Sequence, residues 1–426
     1  MHPPTQVETD RSIPGFRQVP RTGVIYVMER ARQSGHGSDG EEWYNLGQGS
    51  PESGPIPGAP DRIVDLQINP SDQAYAPVPG IDELREKVAD LYNFLYRRGK
   101  ASQYGPENVS IGPGGRAAMT RLVAAMAPVN LGHFIPDYTA YEELLFTFRG
   151  FIPIPILLGP EDGYVASAQT LETEIVGRGL SAVLASNPCN PTGHLVDGQL
   201  LSDWIDVGRR ARCTLVFDEF YSNFLYDTPP EPGEPVATVS AARYVDDVET
   251  DPVVLVNGLT KNWRYPGWRT SWIVGPRDVI DRVSSAGSFL DGGGTRPFQR
   301  AALDLLDPEL VLAEAQAIQT LFAKKRVYMM ERLRALGIKV EIEPRGAFYL
   351  WANLEELPEP FNEGRSFFEQ ALSQRVITVP GAFFDVNPGR RRRTARYQSY
   401  VRFSFGPRLE VLEKGLDRLE KLVLGR

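Results

Sequence analysis

The sequence predicts an α/β fold in which a mostly parallel sheet is sandwiched by helices and a smaller α+β domain is attached. Three observations predict it. Between Asn108 and Gly275, short apolar runs alternate with amphipathic helical stretches, the order a parallel sheet covered on both faces requires. A glycine-rich turn, Gly112-Pro-Gly-Gly115, joins one such run to a helical stretch. After Pro308 the pattern changes to a long amphipathic stretch, strand-like segments and a closing helix.

The first sixty residues, rich in Gly, Pro and polar side chains, read as an extended arm, part of it belonging to the smaller domain. Strands are expected at 109–111, 182–185, 215–217, 253–256 and 272–274, where apolar and β-branched residues cluster. Helical spacing lies between several of them, at 116–126 and 199–212. These segments place the large domain at 61–305 and the small one at 306–426. In the latter, a helix at 309–336 carries Val311, Ala315, Ile318, Phe322, Met329, Leu333 and Leu336 near one face. Strands at 338–342, 347–351 and 400–405 and a helix at 408–424 complete it. There is no internal repeat.

Composition excludes several functions. At 426 residues the chain exceeds one compact core. Its 46 basic and 54 acidic residues give a net charge of −8 and no general attraction for nucleic acid or anionic membrane. The best membrane candidate, 151–158, is far shorter than the roughly 18 apolar residues a span needs and holds two prolines. The start shows no basic region followed by an apolar one, so no secretory signal is expected. Two cysteines make no disulfide framework, and four scattered histidines make no zinc site. A cytoplasmic protein is expected.

Three features converge on one chemistry. Ile111-Gly-Pro-Gly-Gly-Arg-Ala-Ala-Met119 runs from strand through glycine turn to helix, and Gly114 and Gly115 let backbone N–H groups approach an anion. Asp218 ends the apolar run 215–217, where a parallel strand delivers residues to a ligand crevice and a carboxylate can hold a ring nitrogen protonated. Tyr221 follows three residues later. Lys261 lies just past the run 253–256, where neighbouring cations would favour the free amine that imine chemistry needs. Arg269, eight residues on, offers the planar fork that suits phosphate. Singly, each has an ordinary structural reading: a strand-to-helix turn, a strand end, a solvated lysine.

With these motifs the chain resembles the fold-type I, class I/II aminotransferases, from about Leu46 to Arg402. The resemblance implies pyridoxal 5'-phosphate (PLP) as cofactor, with Lys261 as its Schiff-base lysine and Arg269 as its phosphate arginine. It implies Asp218 and Tyr221 as partners of the ring nitrogen and the 3'-oxygen. Ser186-Asn-Pro-Cys-Asn-Pro-Thr-Gly193 matches the family's Asn-Pro-Thr-Gly turn, so that Asn190 would also bond the 3'-oxygen. Tyr138 resembles the aromatic stacked on the ring, and Arg402 the arginine pairing with the substrate α-carboxylate. Gly49, at the near end of the resemblance, is assigned to the substrate. Tyr75, with Gly80 five residues on, matches the tyrosine that reaches the phosphate in a neighbouring subunit. A homodimer with shared sites is therefore implied, acting on an amino acid and a 2-oxo acid.

Several positions depart from that pattern. Gly258 stands where the family often has a phosphate-donating serine, and Thr260, directly before the lysine, is assigned to the cofactor. Arg116 replaces a small or neutral residue; it is assigned to the cofactor, with a reach toward substrate or a surface role as alternatives. Arg296, after Gly292-Gly-Gly294, reads as a solvent-facing loop arginine, with recognition of an acidic substrate group as the alternative. Arg390-Arg-Arg-Arg393 reads as a solvated basic loop, with binding of a polyanion or charged substrate as the alternative. Cys189 reads as a small filler and His194 as incidental. The leading expectation is transamination. The alternative is elimination, cyclisation or oxidase-type chemistry of specialised metabolism on the same fold. A ligand-sensing module of a transcription regulator is disfavoured, because only about 45 residues precede Leu46, without a basic helical pair.

Overall fold

The computed structural model describes residues 23–148 and 150–425. Its centre is a sheet of seven strands: β1 (Val109–Gly112), β2 (Asn130–Ile135), β3 (Ile152–Leu157), β4 (Leu180–Ser186), β5 (Thr214–Asp218), β6 (Val253–Gly258) and β7 (Ser271–Val274). The order is β1-β7-β6-β5-β4-β2-β3. Only β7 runs antiparallel to its neighbours; the other pairings are parallel. The expected strands therefore form, each extended by a residue or more at an end.

β2 and β3 lie beyond those expected. β3 is the stretch weighed above as a membrane candidate. It tolerates Pro153 and Pro155 because it is an edge strand that pairs with β2 alone, so the missing N–H groups break few ladder bonds. No helix among the described residues is long and apolar enough to cross a membrane.

Connecting helices bury their apolar sides on this sheet. Gly198–Ala211 buries Leu201, Trp204, Ile205 and Val207, and Trp204 stacks on Phe134 at 5.5 Å. Gly115–Ala125 covers the opposite face with Ala118, Met119, Leu122 and Val123.

A second sheet, antiparallel, contains β8 (Lys339–Val340), β9 (Tyr349–Asn353), β10 (Val379–Pro380) and β11 (Tyr400–Ser404) in the order β10-β11-β9-β8. A 28-residue helix, Pro308–Ala335, leads into it, with Asp307 capping the N–H groups of Glu309 and Leu310. The helix Leu409–Leu424 closes the chain, burying Leu412, Leu416 and Leu419.

Residues 1–22 of the expected extended arm lie outside the described residues, and the part that follows is not all extended. Gly23–Gln33 is a helix that buries Val27 and Ala31, one turn apart. Tyr44–Asn45 then pairs in parallel with Val376–Ile377.

Candidate active site

Asp218 sits at the end of β5, level with Ser186 on β4 and Val256 on β6. Lys261 follows three residues after β6 ends. Both therefore lie at the carboxyl ends of parallel strands, where open α/β sheets place ligands.

Asp218 is 8% exposed. Burial pushes its carboxyl above the usual range; the Tyr141 hydroxyl, the Phe220 N–H and the Lys261 charge work against that shift. Tyr141 donates to Asp218 Oδ2 at 2.6 Å, while Oδ1 accepts only a long bond, 3.4 Å, from Phe220 N–H. One oxygen is thus held by a short bond, and the other has capacity for a second donor. Tyr141 is a site residue the sequence did not reveal, because its partner lies 77 positions away.

Burial, then the charges of Arg402, Arg269 and Arg116, lower the Lys261 amine from 10.5 to about 7. An appreciable fraction is therefore free amine at neutral pH. The amine donates to the Gly49 carbonyl, so the structure brings Gly49 and Lys261 together.

Arg402 is 1% exposed, and its Nε has no hydrogen-bond partner. Its Nη1 donates to Asn190 Oδ1 at 2.8 Å and its Nη2 to the Gly47 carbonyl at 2.7 Å. The guanidinium carbon lies 4.1 Å from the Tyr349 ring centroid and 4.9 Å from that of Phe384. Among the described residues it has no carboxylate partner within 4.0 Å. A buried cation without a counter-ion is poised for an anionic ligand. Tyr221, also buried, shares a hydrogen bond with the Tyr349 hydroxyl at 2.9 Å.

At the glycine turn, Gly114 has φ +98° and precedes the helix Gly115–Ala125. A Cβ at Gly114 would run into the Arg269 guanidinium, and one at Gly115 would lie 2.5 Å from Phe220 Cζ. The turn and Arg269 are thus in contact across bare backbone. Arg116 donates to the Tyr138 hydroxyl at 3.0 Å through Nη2. Thr260 Oγ1 is buried without a hydrogen-bond partner.

These residues fit PLP. The orphan Thr260 hydroxyl, the helix N-terminus and Arg269 suit a phosphate, and the open oxygen of Asp218 suits a ring nitrogen. Gly258 has a local reason for replacing serine. A Cβ there would stand 2.5 Å from Ser271 Cα and 2.6 Å from the Thr270 carbonyl oxygen. Because those are backbone atoms, Gly258→Ser is expected to cost about 1–3 kcal/mol through overpacking, seen as a lower midpoint in thermal unfolding.

Other residues singled out in the sequence have different surroundings. Tyr75 is 95% exposed. Arg296 is not a loop arginine: it opens the short helix Arg296–Ala301, donates to the Tyr75 carbonyl at 3.4 Å and keeps a buried, unpartnered Nε. The basic run is only partly solvated, since Arg392 pairs with buried Asp385 at 2.6 Å. Cys189 is buried, and His194 is buried with its Nδ1 2.8 Å from Thr192 Oγ1.

The family model for aminotransferase class I and II matches residues 41–419. An aspartate/prephenate aminotransferase of Thermus thermophilus is 29% identical, with 83% of each chain covered. A solved aspartate aminotransferase variant of the same organism, complexed with tryptophan, superposes with a TM-score of 0.77 at 25% identity, covering 95% of this chain and 97% of that one. A solved aminotransferase from Mycobacterium tuberculosis has a TM-score of 0.77 at 23% identity, covering 98% and 100%, a likeness of fold.

Proposed function

The chain belongs to the class I and II aminotransferase family, and from that premise we propose that it moves an amino group between an amino acid and a 2-oxo acid with PLP as cofactor. The observation that carries this reading is the Lys261 amine, lowered to about 7 beside three arginines at the carboxyl end of the sheet. PLP bound here supplies an electron-withdrawing pyridinium that stabilises negative charge at the substrate Cα.

The chain's own residues do the rest. Asp218 would hold the proton on the ring nitrogen, with its carboxylate oriented by the Tyr141 hydroxyl. Thr260, Arg269 and the turn at Gly114 and Gly115 take the phosphate. Tyr221 and Asn190 would bond the 3'-oxygen, and Tyr138 would stack on the ring. Arg402 binds the substrate α-carboxylate and thereby fixes which Cα bond stands perpendicular to the ring. Lys261, once the substrate amine has taken its place, would take the proton from the substrate Cα as general base and deliver it to the cofactor C4' as general acid.

Arg116 adds a further guanidinium whose charge reaches the Lys261 amine. Together with the aspartate/prephenate specificity in the name of the Thermus relative, this supports a donor with an acidic side chain. Tyr75, Val64 and Ile68, 95%, 85% and 57% exposed, support a second copy of the chain covering this segment, with Tyr75 serving the neighbouring site.

Initial-rate kinetics test the reading, with each amino acid varied against fixed levels of a 2-oxo acid. Parallel double-reciprocal lines, with aspartate or glutamate among the donors, are expected of two alternating half-reactions. Consumption of the amino acid with no 2-oxo acid requirement, releasing ammonia or peroxide, would replace transamination by elimination or oxidation.

A further inference from the structure

Residues 46–54 form a strap across the site. Ser404 N–H donates to the Leu46 carbonyl at 2.6 Å, and Glu52 N–H donates to the Gly406 carbonyl at 2.8 Å. Between these pins the strap offers carbonyl oxygens to the two groups that would meet the substrate: Gly47 to Arg402 and Gly49 to Lys261. Gly49 also lies close under the Tyr349 hydroxyl, which a Cβ at that position would reach at 3.5 Å.

The far end of the strap is held by a buried network. Arg264, 0% exposed, donates through Nη1 to the Glu52 carbonyl at 3.1 Å and the Gly54 carbonyl at 2.6 Å. Its Nε donates to Glu314 Oε1 at 2.6 Å. Lys325 pairs with the Glu52 carboxylate and donates to the Pro407 carbonyl at 2.6 Å. Arg62 in turn donates to the Arg264 carbonyl at 2.8 Å while its guanidinium lies 3.5 Å over the Tyr265 ring.

Arg264 also belongs to the turn that carries Lys261, because its N–H donates to the Lys261 carbonyl at 2.9 Å. It sits there at φ +57°, in the left-handed region an arginine leaves unless its surroundings hold it. One residue therefore ties three things together: the lysine turn through its backbone, and the strap and, through Glu314, the long helix through its side chain. An ion pair that only stabilised the interior would be replaceable by packed apolar side chains. Here the guanidinium edge not used by Glu314 is spent on strap carbonyls, which is directional.

We propose that Arg264 is a positioning residue for the amino substrate: it holds the strap over Lys261 and Arg402, and so sets the population of the substrate-ready site. The proposal rests on the functional reading above. Thr260, Arg269 and the glycine turn, which would take the cofactor phosphate, lie outside the strap, so loosening it leaves cofactor binding in place. With the strap in position only about a tenth of the time, the apparent KM for the amino donor rises about tenfold and kcat is unchanged.

The test is the double variant Arg264→Met with Glu314→Met in the PLP-loaded enzyme. It removes both charges together; Arg62, which also lies 3.8 Å from Glu314, keeps its bonds to the Trp263 and Arg264 carbonyls. The PLP content is expected to match the parent. KM for the donor rises about tenfold at constant kcat, and amide exchange at residues 47–54 accelerates with or without PLP. A folded double variant with parental KM and parental exchange overturns the proposal. If the double variant does not fold, Arg264→Lys is read in the same way, since a lysine keeps the charge at Glu314 but lacks the fork that reaches both carbonyls. If the parent shows no half-reaction with any amino donor, the functional reading and the substrate role fail together. Exchange at 47–54 then still reports whether Arg264 pins the strap.

Discussion

Lys261→Ala is expected to reduce turnover by on the order of 10⁴-fold, because one substitution removes both the covalent anchor and the group that moves the proton at Cα. The effect should fall on kcat. The phosphate contacts from Thr260, Arg269 and the glycine turn remain, so the protein still retains PLP, with altered visible absorbance. Stability should move the other way. The Lys261 amine is lowered from 10.5 to about 7 in the folded chain, so the unfolded chain binds more protons between those pH values. Parent stability therefore rises with pH through that window, and the penalty is complete below it. Without PLP, Lys261→Ala should melt above the parent near pH 6 and lose that advantage as the pH approaches 10.5, as differential scanning calorimetry would record.

Arg402→Gln is expected to lower kcat/KM by about 10²–10³-fold, the cost of removing one partner from a desolvated charge-assisted pair. The loss should be general to amino acids, because it concerns the α-carboxylate and not the side chain. The variant also removes the largest single charge acting on the Lys261 amine, so the pKa of that amine should rise. The acid limb of the kcat/KM profile of the free enzyme then moves to higher pH. A variant that loses activity toward acidic donors alone would place Arg402 at the substrate side chain.

Much of the fold was legible because β5 and β6 are nearly continuous apolar runs, Thr214–Asp218 and Val253–Gly258, as strands buried on both faces must be. β2 and β3 were not, since Gly132, Pro153 and Pro155 interrupt the pattern, and edge position is a tertiary fact. The helix Gly23–Gln33 was hidden by the Gly- and Pro-rich composition around it. At the site, side chains on strand ends and in the glycine turn could be read from their order in the chain. Tyr141 could not, because its role depends on a long-range bond to Asp218. Nor could Gly47 and Arg264, which act through backbone carbonyls that no side-chain pattern advertises.

The central claim is that this site holds PLP at Lys261 and passes an amino group through it. The most direct measurement is the visible absorbance of the purified, PLP-loaded protein, titrated first with single amino acids and then with a 2-oxo acid. The account predicts a cofactor band that depends on Lys261, shifts with at least one amino acid and returns when the 2-oxo acid is added. A protein that shows no band after PLP is supplied, with Lys261 intact, would contradict it.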